Sequence, residues 1–130
     1  MSNQKLFQIA LVVRDYDEAI EFYVNKLGFA LIEDTVMSET KRWVVVSPGK
    51  NSCQLLLAKA ADEHQLSRVG DQTGGRVFLF MYTDDIDAYE IRLQKEDIRI
   101  VRGPVTESFG KVIVFEDLYG NKWDLIQPAQ

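Results

Sequence analysis

Slid over itself by 70 residues, this chain of 130 residues comes back into phase. The shift sets Asp15-Tyr16-Asp17 on Asp85-Ile86-Asp87 and Val44–Val46 on Val114–Glu116. It also sets Asn51 on Asn121 and Leu55-Leu56 on Leu125-Ile126. Identity between the halves is low, but the pattern of strands and turns stays aligned without a gap. Self-similarity at a fixed period is the mark of a repeated supersecondary unit. It restricts the chain to folds in which two like modules share one architecture.

Each half reads as β-α-β-β-β. In the first, Lys5–Val13 is apolar and β-branched enough for a strand. Asp15 can cap a helix and Glu18 stands at the capping-box position. Ile20, Tyr23 and Leu27 recur at helical spacing, and Gly28 closes the helix. Strands are predicted at Phe29–Ile32, Lys41–Ser47 and Ser52–Ala58, the last two joined by a turn at Pro48–Asn51. In the second half the strand Arg76–Thr83 precedes a helix capped by Asp84 or Asp85, with Ile86, Tyr89 and Leu93 as its buried stripe. Strands follow at Ile98–Val101, Lys111–Glu116 and Lys122–Gln127, and Gly103-Pro104 is expected to break the chain. One domain over 1–130 thus divides into a module at 1–59, a polar linker at 60–75 and a module at 76–130.

Composition excludes several partners. A net charge of -5 gives no basic face for nucleic acid and no attraction to anionic lipid. No apolar run is long enough to span a membrane, and the N-terminal stretch has no signal-peptide pattern. The single cysteine, Cys53, cannot form an internal disulfide, and the cytoplasm is the expected location. No glycine-rich phosphate-loop pattern occurs.

The stretches "ALVVRDYDEAIEFYVNKLGF" (Ala10–Phe29), "YTDDIDAYEIRLQKEDIRI" (Tyr82–Ile100) and "VFEDLYGNKWDLIQP" (Val114–Pro128) carry a family resemblance. Together they resemble the vicinal-oxygen-chelate superfamily of glyoxalase I, bleomycin-resistance proteins and extradiol dioxygenases. The resemblance implies an α+β fold of two tandem βαβββ modules forming an open, cup-shaped mixed sheet, usually in a homodimer. In metal-dependent relatives four inner positions, mostly His or Glu, hold a divalent ion. Here those positions fall on Gln8, Gln54, Phe78 and Asp124. Two neutral amides, a ring and one carboxylate are a poor donor set for a transition metal, and no resident metal or other cofactor is expected. The only histidine, His64, falls in the linker.

The repeat also suggests that these four positions converge on one cavity. Asp124 interrupts a mostly apolar strand. Lining a pocket, it would anchor a ligand's hydroxyl or cationic group or act as a general base; facing water, it would be an ordinary surface charge. Gln8 and Gln54 would add uncharged hydrogen bonds. Phe78, Phe80 and Tyr82 alternate along one strand, so they share a face; such a row is either packed core or a stacking wall for a flat ligand. Trp43, Phe109, Tyr119 and Trp123 are further candidate walls, and Arg42 and Arg76 could grip an anion. The expected activity is therefore binding of a small organic molecule without a tightly held metal. Two alternatives compete with it. One is a glyoxalase-like lyase, isomerase or dioxygenase recruiting zinc, nickel, iron or manganese through Asp124. The other is a ferredoxin-like interaction domain whose sheet makes only a dimer contact.

Overall fold

The computed structural model describes residues 2–130. The described residues hold eight strands in two four-stranded mixed sheets, each with open edges. The chain separates into two compact units, one ending at Val69 and the other starting at Gly70. Both follow the βαβββ order.

In the first unit β1 (Gln8–Val13) leads to a helix, α1, that starts as an α-helix at Tyr16–Ile20 and continues as a π-helix at Glu21–Lys26. The Asp15 carboxylate accepts the Glu18 N–H at 2.9 Å, as the sequence predicts. The Leu27 N–H reaches five residues back to the Phe22 carbonyl at 2.8 Å, which widens the last turns. That widening modifies the predicted stripe. Ala19, Phe22, Tyr23 and Leu27 are buried, while Ile20 is only half-buried. Gly28 at φ 88 then reverses the chain, so that the Phe29 N–H donates to the Tyr23 carbonyl. The sheet runs β1-β4-β3-β2, with β2 (Ala30–Val36), β3 (Arg42–Ser47) and β4 (Gln54–Lys59). Leu11, Val13, Val44, Val46, Leu55 and Leu57 are buried and share one face of that sheet.

Two expectations for this unit are corrected. β2 extends to Val36 rather than ending at Ile32, and all of it is exposed. An edge strand with no buried face leaves no alternating apolar signal to read. Arg42 is not a free grip for an anion. Its guanidinium is held in bidentate fashion by Asp34, at 3.1 and 2.7 Å, and by Asp17 at 2.8 Å, and it lies 5.2 Å over the Tyr16 ring. The Arg42 hydrogen bonds to the Asp34 carboxylate hold Asp34 below the ordinary carboxylate range. The stretch 60–75 contains a short helix, α2 (Glu63–Ser67), capped by Asp62 and packed on β1. His64 is exposed on it.

In the second unit β5 (Val77–Tyr82) precedes α3 (Ile86–Lys95), capped by Asp85. Ile86 and Leu93 are buried, and Tyr89 is half-buried, its hydroxyl pushed up to about 12 by burial. The Ile86 N–H donates to the Gln127 side chain at 2.8 Å, and Lys111 pairs with Asp87 at 2.8 Å, tying α3 to the sheet. The strand order is β5-β8-β7-β6, with β6 (Ile100–Glu107), β7 (Gly110–Glu116) and β8 (Lys122–Pro128). β6 passes through Gly103-Pro104, which was expected to end it. Proline is tolerated because β6 is an edge strand paired only with β7, and the ladder shifts register there.

The β7–β8 turn is closed from within. The buried Asp117 accepts the backbone N–H groups of Tyr119 and Asn121 and the Asn121 side-chain amide, each at 2.9 Å. The Asp117 N–H in turn donates to the Asn121 carbonyl at 2.9 Å. The five residues Asp117-Leu118-Tyr119-Gly120-Asn121 thus form a clasp held by the first and the last. Replacing Asp117 with Ala strips the part-buried Tyr119 N–H and the buried Asn121 donors of their acceptor and is expected to cost about 3 kcal/mol. Removing the Asp15 cap by the same change should cost about 1 kcal/mol. Urea unfolding of the two variants, read by circular dichroism, checks the order; equal losses would contradict it.

Candidate functional site

Strand alternation gives each sheet a second face, away from the buried apolar rows. In the first unit this face carries Gln8, Ala10 and Val12 from β1, matched with Gln54, Leu56 and Ala58 from β4. Gln8 and Gln54 stand directly opposite each other in the parallel ladder, and both are half-buried. Adjacent strands lie about 4.8 Å apart, so the two amides form one polar pair at one end of the β1–β4 ladder.

In the second unit the matching face carries a row across all four strands. Phe80 on β5 opposes Asp124 on β8, Asp124 opposes Val114 on β7, and Val114 opposes Arg102 on β6. Tyr82 opposes Ile126 in the next row. Phe80 and Tyr82 are 67% and 76% exposed. These two rings are therefore not packed core. Phe78 is placed differently. The β5–β8 ladder shifts between Val77, paired with Lys122, and Leu79, paired with Trp123, so Phe78 is skipped. The residue opposite Asp124 is Phe80, and the gapless 70-residue match does not hold along β5. A ladder irregularity of this kind leaves no mark in composition, and only the strand partners reveal it.

Asp124 is the chemically distinctive group. Its Oδ1 is buried and has no hydrogen-bond partner among the described residues. Burial raises its pKa above the ordinary carboxylate value, and the positive charge of Arg102 pulls it partly back. Arg102 itself is paired with Glu107 at 2.7 Å. Asp124 thus stands between Phe80 and Val114 in the ladder with the acceptor capacity of its Oδ1 unused, which is a cost to the fold.

Other candidates sort by burial. Trp123 is core, stacked on Phe115 at 6.0 Å, and cannot be a ligand wall. Trp43 and Tyr119 are half-buried and Phe109 is exposed. Among the described residues, no group of three or more His, Cys, Asp or Glu side chains is placed to hold a metal ion. The family's ligand positions offer the Gln8 and Gln54 amides in one unit and the single Asp124 carboxylate in the other. These do not fit a tightly held transition metal, which takes at least three strong donors.

Asp124→Asn removes a charge whose Oδ1 is buried without a hydrogen-bond partner. It is expected to stabilise the ligand-free protein at pH 7 by on the order of 1 kcal/mol. The gain should vanish as the pH falls through the Asp124 pKa, since a raised carboxylate pKa means that the protonated form suits the fold. Thermal unfolding of both proteins across the acid range measures this, and a destabilised variant at pH 7 would count against an unpartnered carboxylate.

Comparison with known proteins places this architecture. The Glyoxalase/Bleomycin resistance protein/Dioxygenase superfamily model matches residues 5–125. An uncharacterised protein of Shewanella frigidimarina (strain NCIMB 400) is 58% identical over 126 residues, covering 95% of this chain and 93% of its own. YurT of Bacillus subtilis (strain 168) is 29% identical, covering 95% and 98%. Among solved structures, TnmS3, an antibiotic binding protein from Streptomyces sp. CB03234, superimposes with a TM-score of 0.80 at 29% identity over 99% of both chains. No helix among the described residues is long and apolar enough to cross a membrane. With two βαβββ units and a family match over nearly its whole length, the chain belongs to the Glyoxalase/Bleomycin resistance protein/Dioxygenase superfamily.

Proposed function

We propose that this protein binds a small, largely aromatic organic molecule on the open face of its second sheet, without a tightly held metal. The observation that carries the reading is the buried Asp124 Oδ1, unpartnered beside the exposed Phe80 and Tyr82 rings. A flat ligand stacks on the rings, and a hydroxyl or ammonium group donates to the carboxylate. The likeness to TnmS3, an antibiotic binding protein, supports an antibiotic-like ligand. Phe78 belongs to the aromatic strand that supplies the wall, and the Gln8–Gln54 pair stands as a separate polar anchor on the open face of the first sheet. The reading includes a homodimer in the cytoplasm; the uncovered Leu31, Ile32 and Val36 on edge strand β2 support the dimer. Metal-assisted lyase or dioxygenase chemistry would have to rest on one carboxylate and two amides, and the donor set does not favour it.

Screening aromatic antibiotics for a rise in melting temperature tests the reading. At least one compound is expected to bind. Its affinity should drop about tenfold in Asp124→Asn, the worth of one charge-assisted hydrogen bond. Binding should weaken as pH falls through the Asp124 pKa, because the protonated acid no longer offers two acceptor oxygens. An unresponsive screen would reject ligand binding, and a bound compound indifferent to Asp124→Asn would reject this site. Elemental analysis of protein purified without chelator is expected to find substoichiometric nickel, zinc, iron and manganese; one equivalent of any of them would overturn the metal-free part.

A further inference from the structure

β3 and β4 are paired only through Val45 with Leu56 and Val46 with Leu55. β4 stays with β1 as far as Lys59, and β3 stays with β2 from Arg42. Where the β3–β4 ladder stops, a cavity of about 560 Å³ opens, lined by the first residues of β3, the last residues of β4 and the start of α1. Its walls come wholly from the first unit. The volume lies within the range of about 300–1,000 Å³ typical of small-molecule sites.

Tyr16 lines the slot. This side chain is 7% exposed, and its hydroxyl accepts the Arg42 backbone N–H at 3.2 Å, a role a neighbouring strand would otherwise fill. The Tyr16 hydroxyl proton remains available to a ligand. Half-buried Trp43 gives a flat wall, and Leu56 and Ala58 an apolar floor.

Charge sets the class of ligand. The lining contains no aspartate or glutamate, but it does contain Lys41, Lys59 and Arg42. Arg42 is more than offset by its two partners Asp34 and Asp17, so the positive charge of the slot rests on the lysines. Lys41 and Lys59 make no ion pair among the described residues. A chain of net charge -5 thus presents a locally positive, aromatic-walled slot. We infer that this slot is a second binding site, independent of the Asp124 face, for a planar aromatic carboxylate. The ring system stacks on Trp43, and the carboxylate takes the Tyr16 hydroxyl proton and the two ammonium groups.

Titration of the full chain with 2-naphthoate, followed through the two tryptophan indole N–H signals by NMR, tests the assignment. Trp43 and Trp123 are the two indoles, and Trp43→Phe identifies which signal is which. The Trp43 signal is expected to shift saturably while that of core Trp123 stays fixed, reporting that the fold is intact. The neutral 2-naphthalenemethanol should bind more weakly. Lys41→Glu with Lys59→Glu should reduce naphthoate affinity at least about tenfold, since each exposed charge contributes modestly and both are reversed. Ala58→Phe should fill the floor and abolish the shift, with the Trp123 signal retained. An unmoved Trp43 signal, equal binding of the alcohol, or naphthoate binding unchanged by the double reversal would each overturn the proposal.

Discussion

The second unit depends on a clasp a few atoms wide. Asp117 gathers three N–H donors across a five-residue turn and fixes which residue of β8 faces which residue of β7. Side chains alternate along a strand, so a slip of one residue would turn Asp124 into the packed face and carry Trp123 or Leu125 out of it. The position of the acid with the buried, unpartnered oxygen thus follows from the full satisfaction of another.

Three aspartates meet three different fates, and the contrast sets Asp124 apart. Asp117 is buried and saturated with donors. Asp34 is part-exposed and held by Arg42. Asp124 has a buried oxygen with nothing bound to it. An unsatisfied buried acceptor works against folding, and a protein designed only for stability would replace it. Asp117 and Asp34 are explained by architecture, whereas the buried Oδ1 of Asp124 is not.

Much of this was legible in the amino-acid sequence. The capping aspartates at 15 and 85 announced their helices because an orphan backbone N–H needs a nearby acceptor. The apolar stretches of β1, β3, β4, β7 and β8 were readable because their buried faces demand it. Asp124 stood out for the same reason in reverse, as a charge among apolar neighbours. The edge strands were less legible. β2 buries nothing, and β6 carries a Gly-Pro pair that a central strand would reject. The commitment of Arg42 to Asp34 and Asp17 spans 8 and 25 residues of sequence, and no local pattern encodes such a pairing.

The skipped residue in β5 has a consequence for anyone redesigning this chain. The pairing offset between the first and last strands is 46 residues at Gln8–Gln54 but 44 at Phe80–Asp124, and the skipped Phe78 supplies one of those two, so a side chain transplanted by counting from Gln8 would land on Phe78. The residue that shares a row with the acid is Phe80. Grafting a new specificity, or rebuilding a metal centre from a relative's histidines, must therefore follow the ladder rather than the alignment.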